Sequence, residues 1–253
     1  MEYAVRAPHP ALREHVRRYT GYAEDGEPIR RREVVNGRVV MIVSFGPPLR
    51  LDGAAFGSFL VGMHAPVTIT DHDGISRGVQ VDLSPLGARM LRGAPMHEVA
   101  GRVLPLDDPL LEERLAEAGD WPERFAILDA AIGRRLLAAP PPPPDVVRAW
   151  SRLEETHGRI AVGELAAELG CSRRHLAARF RDHAGVGPKA AARVMRFHHA
   201  MERLRDGADR WADVALDCGY YDQPHLNREF RALAGVPPGE LFPFVQDRAV
   251  HAA

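Results

Sequence analysis

Displaced by 50 residues, the sequence matches itself. His175, Leu176, Phe180, Arg181, Ala184, Gly185, Val186 and Pro188 fall on His225, Leu226, Phe230, Arg231, Ala234, Gly235, Val236 and Pro238, eight identities in 14 positions. Upstream the match continues at an offset of 49, with Ala166 on Ala215 and Gly170 on Gly219, so the second copy has one extra residue in its turn. Two copies are too few for a solenoid, whose repeats bury a continuous core only by stacking. They describe a pair of similar modules that need the same inner and outer surfaces.

Each module reads as a helix, a tight turn and a second helix. In the first, Val162, Leu165, Ala166 and Leu169 recur at helical spacing, Gly170 suits the left-handed end of a helix, and Ser172 is a preferred N-cap for the next one. Leu176 and Phe180 then face inward, leaving Arg173, Arg174, Ala177, Ala178 and Arg181 outside. The second module places Trp211, Val214, Ala215 and Cys218 inside, stops at Gly219, caps with Asp222, and buries Leu226 and Phe230. Its outward residues are Gln223, Pro224, Asn227 and Arg228, with Arg231 a turn further on; Pro224 sits in the first turn, where its missing N–H costs little.

Two helices about a Gly-containing turn, the second with an outer face of Arg, Gln and Asn, match the helix-turn-helix arrangement, which lays its second helix in the major groove of DNA. Arg pairs bidentately with guanine, Gln or Asn with adenine, and Ala lies against a thymine methyl. A single such unit would equally suit a helical hairpin with a solvated face. Two units with one pattern favour DNA, and the candidate contacts are Ser172, Arg173, Arg174, Ala177, Ala178, Arg181, Gln223, Asn227, Arg228 and Arg231.

The run Arg193, Arg196, Ala200, Leu204, then Val214-Ala215, Gly219-Tyr220, Asp222, His225-Leu226, Arg228, Phe230-Arg231, Gly235, Pro237 and Phe242 resembles the AraC/XylS family of bacterial transcription regulators. The resemblance covers residues 145–242. It implies seven helices, two helix-turn-helix units joined by a central helix, and binding to two successive major-groove segments on one side of the DNA. Cys218 departs from the family pattern, as do Ala177 and Ala178 where longer polar side chains are common; this leaves Arg174 as the main base reader of the first unit.

The formal net charge of −1 would argue against a nucleic-acid partner, but its distribution reverses the inference. Residues 171–205 carry nine Lys and Arg against Asp182 and Glu202, whereas 206–222 carry five Asp against Arg210. Attraction to phosphate follows the local face and not the sum. Two cysteines in 253 residues, Cys171 in a turn and Cys218 on an apolar face, argue against a disulfide and for a reducing cytoplasm. No long apolar segment suggests a leader or a membrane span.

The N-terminal part reads as β-rich. Residues 34–45, 56–63, 67–70 and 78–83 are strand candidates, the first too continuously apolar for an exposed hairpin. Residues 1–26 suit either a short amphipathic helix, from Leu12, Val16 and Tyr19, or an extended lead-in. Segments 86–91, 110–118 and 121–138 have helical periodicity, and five prolines at 140–144 read as a polyproline rod of roughly 15 Å. The expected fold is α+β: a β-rich barrel or sandwich with helices over 1–139, a linker at 140–144, and an all-α double helix-turn-helix domain over 145–253. Family resemblance, by position and pattern, makes the first domain a cupin-like sensor of an unidentified small molecule. A scaffold for dimerisation is the competing reading.

His64, His72 and His97, with Asp71 and Asp73, show no metal-ligand spacing, so neither metal nor cofactor is expected. No phosphate loop, nucleophile elbow or Ser-His-Asp set is legible, and the absence of cysteine from residues 1–144 removes a DNA-repair alkyl acceptor. The expectation is a non-enzymatic transcription regulator; an enzyme carried on the barrel and fused to a DNA-binding domain is the alternative. Double-stranded DNA, an effector and RNA polymerase are the expected partners. Trp121, Phe125, Leu128, Ile132 and Leu136 form an apolar helical stripe that either covers its own domain or pairs with a second copy of the chain.

Overall fold

A computed structural model describes residues 1–34, 37–63, 67–207 and 210–241. The N-terminal part contributes β1 (Glu2–Arg6), β2 (Val16–Asp25), β3 (Ile29–Glu33), β4 (Val39–Ser44), β5 (Leu49–Leu51), β6 (Ala54–Phe56), β7 (Phe59–Val61), β8 (Thr68–His72), β9 (Ile75–Leu83) and β10 (Val103–Pro105). These make a six-stranded sheet in the order β1-β2-β9-β4-β7-β10 and a four-stranded sheet in the order β3-β8-β5-β6. Among the described residues no barrel closes, so of the two expected forms it is the two-sheet one that stands.

Periodicity in residues 1–26 is compatible with helix or extended chain. The structure makes them strand, apart from a 3₁₀ turn at Pro10–Leu12. Val16 and Tyr19 are both buried although three residues apart, because the pairing of β2 with β9 shifts register between Val16 and Arg18. Such a bulge adds a residue to one strand and so imitates a helical interval. The apolar run of β4 has a simple cause: Val39 and Val43 join the core on one face of the sheet, and Ile42 joins Leu49, Leu51 and Phe59 on the other. A strand covered on both faces has no polar side.

Three helices follow: α1 (Pro85–Arg92), α2 (Pro109–Glu117) and α3 (Trp121–Ala138). Asp120 caps α3 by accepting from the Glu123 N–H at 2.8 Å. The α3 stripe is spent on its own domain: Trp121, Phe125, Leu128, Ile132 and Leu136 are all buried, and Phe125 stacks on Tyr19 with ring centroids 5.7 Å apart. Burying each large side chain contributes roughly 1.5–3 kcal/mol. Gly21 of β2 admits this packing, since a Cβ there would lie 2.4 Å from the Trp121 ring.

The C-terminal part contains α4 (Pro144–Glu155), α5 (Val162–Glu168), α6 (Arg173–Ala184), α7 (Pro188–Arg205), α8 (Trp211–Asp217) and α9 (Gln223–Ala234), and residues 238–241 are again helical. The proline run corrects one expectation: Pro144 is not part of an extended rod but the first residue of α4, with Pro143 as N-cap. Proline fits there because the first helical N–H lacks an intrahelical acceptor anyway. The apolar core does not divide at these prolines. One cluster runs from Leu12 to Ala192 and takes in Trp150, Leu165, Leu176 and Phe180; a second begins at Phe197 and holds Val214, Leu226 and Phe230. The division therefore falls inside α7.

Candidate nucleic-acid interface

The two helix-turn-helix units are α5–α6 and α8–α9, and their turns repeat bond for bond. Gly170 (φ 64°) and Gly219 (φ 77°) take the left-handed conformation that lets each first helix stop. In the first turn Gly170 N–H donates to Ala167 O and Cys171 N–H to Ala166 O, both at 3.0 Å; in the second Gly219 N–H donates to Leu216 O at 3.0 Å and Tyr220 N–H to Ala215 O at 2.8 Å. Ser172 Oγ then accepts from the His175 N–H at 3.1 Å, and Asp222 Oδ1 from the His225 N–H at 2.7 Å. Both second helices end on a left-handed glycine, Gly185 and Gly235, whose N–H bonds Arg181 O and Arg231 O.

Each second helix is held from beneath. Leu176, Phe180, Leu226 and Phe230 are at most 2% exposed. Phe180 stacks on Trp150 of α4 at 5.9 Å, and Phe230 meets Phe197 of α7 edge-on at 4.7 Å. Arg193 of α7 bonds Glu229 of α9 at 2.6 Å, which ties the linking helix to the second unit. The 18 residues of α7 span about 27 Å at 1.5 Å per residue. That is the scale of the roughly 34 Å between successive major-groove passages on one face of DNA.

The arginines on the two outer faces differ from Arg179 on the flank of α6 and from several on the neighbouring helices α4 and α7. Arg152, Arg179, Arg193 and Arg203 are each in an ion pair, with Glu155 and Glu168, Asp145, Glu229 and Asp217 respectively. Arg174, Arg181, Arg228 and Arg231 are exposed, and their guanidinium groups have no hydrogen-bond or ion-pair partner among the described residues. Ser172, Arg173 and Ala178 are also exposed, whereas Ala177, Gln223 and Asn227 are half-buried. Arg173 folds back over α5, where a Cβ on Gly163 would come within 2.5 Å of its guanidinium. Asn227 Oδ1 is shielded from solvent and has no partner. Cys218 packs under the second unit, where burial pushes its thiol up to about 11, so it is no thiolate nucleophile near neutral pH.

Both units touch the N-terminal part. α1 and the 3₁₀ turn Met96–Glu98 lie against α6, and a Cβ on Gly185 would sit 2.8 Å from Met96 O. His183 of α6 is pushed below its ordinary value first by burial and then by Arg89 of α1 and Arg179, with Asp182 and Asp145 opposing. At the second unit Arg32 Nη1 donates to Ala234 O at 3.4 Å, and Val34 packs on the core that holds α9.

The histidines weighed as metal ligands do other work or lie elsewhere. His72 is buried, bonds Glu24 at 2.7 Å through Nε2 and accepts the Gly74 N–H through Nδ1. Burial opposes the charge on Glu24, but hydrogen bonds from Arg31 and Tyr3 outweigh it and hold the carboxyl below the usual range. Sequence reasoning missed this network because His72 is 48 residues from Glu24, and Arg31 meets Glu24 from a separate strand. His97 lies in the 3₁₀ turn, and His64 falls outside the described residues. Among the described residues no three His, Cys, Asp or Glu side chains converge as metal ligands, and no helix is long and apolar enough to cross a membrane.

A protein-family model described as a helix-turn-helix domain matches residues 165–242, which is the pair of units just described. The chain is similar to two putative AraC-like transcription regulators: one from Streptomyces lividans, 32% identical over 96 residues and 38% of this chain, and one from Streptomyces antibioticus, 34% identical over 79 residues and 31% of this chain. The C-terminal segment is an AraC-type helix-turn-helix domain. The HTH-type transcriptional regulator GlxA of Rhizobium meliloti is 27% identical over 173 residues, covering 63% of this chain and 52% of its own. The chain thus spans about half the length of GlxA, and 28% and 26% of the two Streptomyces proteins. A second model, described as a domain of unknown function, matches residues 4–105. Among solved structures, ToxT from Vibrio cholerae superposes with a TM-score of 0.51 at 10% identity over 89% of this chain and 98% of its own, so the succession of a β-rich part and a helical part is a known fold.

Proposed function

We propose that the protein is a cytoplasmic, non-enzymatic transcription regulator that lays α6 and α9 in successive major grooves of its operator. The observation that carries this is that the outer faces of both second helices hold exposed arginines, Arg174, Arg181, Arg228 and Arg231, with no carboxylate partner among the described residues, whereas Arg179 on the flank of α6 is paired with Asp145. In this reading Arg174 and Arg228 read guanine, Gln223 and Asn227 read adenine, and Ala177 and Ala178 lie against the groove floor. Ser172, Arg173, Arg181 and Arg231 contact phosphate. Asn227 Oδ1 is shielded and unpartnered, so reading adenine requires its side chain to turn outward and present the amide to a base edge.

The N-terminal part is the sensor in this reading. Its contacts with α6 and with the end of α9 give a small molecule a route to the spacing of the two units. ToxT of Vibrio cholerae has been solved bound to (E)-4-(8-methylnaphthalen-1-yl)but-3-enoic acid, which supports a small-molecule effector for a chain of this fold. RNA polymerase and a second copy of the chain are its further partners. With the α3 stripe buried, a second copy would meet the outer face of that helix, where Leu137 is 90% exposed. Sequencing the genomic fragments that the full chain retains tests the proposal. Recovery of a shared motif with two half-sites about one helical turn apart supports it, and recovery of random fragments contradicts it.

A further inference from the structure

The two units align residue for residue except at one position. Up to Cys171 and Tyr220 the offset is 49, and from the caps Ser172 and Asp222 onward it is 50. The surplus residue is Tyr221. Its predecessor Tyr220 turns inward, 3% exposed, and joins the core of the second unit. Tyr221 is 86% exposed, more than any other aromatic side chain of the described residues, and its ring and hydroxyl have no partner among them. Its backbone is fixed: the Tyr221 N–H donates to His225 Nδ1 at 3.3 Å, and the next residue is the cap of α9. The inserted residue therefore stands at the end of α9 that a recognition helix presents to DNA.

Aromatic side chains bury some 150–250 Å² when covered, and among the described residues nearly all the others are buried or half-buried. A ring with a hydroxyl at its tip, placed at the mouth of a recognition helix, matches the wall of a groove: sugar beside the ring, phosphate oxygen beyond it. We propose that Tyr221 is a DNA contact of the second unit, its hydroxyl donating to a backbone phosphate at the edge of the groove that α9 enters. This rests on the reading of α9 as a recognition helix. The contact is neutral and does not face a base. It strengthens binding to every sequence and releases no counterion, so it leaves the salt dependence unchanged. The first unit has no equivalent residue.

The test uses the full chain and two duplexes of equal length, one recovered from genomic fragments by the wild-type protein and one of random sequence. Tyr221→Phe should weaken binding to both by about tenfold, the loss expected for one hydrogen bond to a charged acceptor. Tyr221→Ala should weaken it further. Both variants should keep the wild-type slope of affinity against salt and, being changed at an exposed site, the wild-type melting temperature. Arg228→Ala is the control that separates the two levels of inference. If it weakens binding while both Tyr221 variants bind as wild type does, the Tyr221 contact is overturned and the DNA reading survives. Failure of the wild-type protein to bind either duplex overturns both. Unchanged affinity of Tyr221→Ala for DNA, with reduced transcription from the bound site by purified RNA polymerase, would assign the residue to a protein partner and overturn the contact as well.

Discussion

At the scale of single residues, the proposed interface rests on the guanidinium groups that the outer faces of α6 and α9 leave without a carboxylate. Arg174 stands in the first turn of α6 and Arg228 one turn further along α9, aligned with Ala178 of the first unit, and each pairs bidentately with a guanine in this account. Replacing either by Ala should cost about 1–3 kcal/mol of binding and relax preference at one base pair. Affinities for a panel of single-base operator variants check this; uniform weakening across the panel would make the pair phosphate contacts and leave readout to Gln223 and Asn227. The exposed positions were legible because helical spacing fixes which residues share a face. Two details were not. Arg173 lies over Gly163 of α5, and Asn227 keeps its Oδ1 shielded; both depend on neighbours from other turns of the fold.

Among the elements, the best-read ones are those whose ends carry chemistry. Residues 121–138 were expected as a helix and form α3 over those limits, because Asp120 caps it and the stripe inside it has one period. β3, Ile-Arg-Arg-Arg-Glu, was missed: charge hides a strand when its outer positions are arginine, and pairing with β8 is what makes it one. The start of β2 was ambiguous for the opposite reason, since a bulge gave a strand a helical interval. Within the units, Leu176 and Phe230 support their recognition helices from inside two different cores. Leu176→Ala and Phe230→Ala should each lower stability by roughly 2–5 kcal/mol through the cavity left behind. Denaturant unfolding measures it, and midpoints equal to wild type would mean the helices rest on other contacts.

For the whole molecule, the proline run suggested where the joint would fall, but local periodicity cannot say which core a buried face will join. The N-terminal part and the first unit share one core, and the second unit has its own. Titratable groups mark the seams. His183 lies at the α1–α6 seam, and His198 of α7 is surrounded by Glu202, Arg38, Arg205 and Asp82; burial, the largest influence on each, pushes both below the ordinary value near 6.5. Their neutral forms are the ones the fold accommodates, so their contribution is complete above about pH 6.5 and is lost as pH falls through the lowered folded values. The melting temperature should therefore drop between about pH 7.5 and about pH 5, and His198→Asn should flatten that drop; a wild-type profile level across this range would contradict the assignment.

The most direct test of the central claim, that the outer faces of α6 and α9 bind DNA through arginines the protein leaves unpaired, is the dependence of affinity on salt. For the full chain on a duplex it has selected, log K against log salt should fall with a slope of about −2 or steeper. Arg181→Ala combined with Arg231→Ala should make that slope shallower by about 1.8, or about 0.9 for each phosphate left without its arginine. A flat line for the wild-type protein, or the same slope for both proteins, would contradict the account.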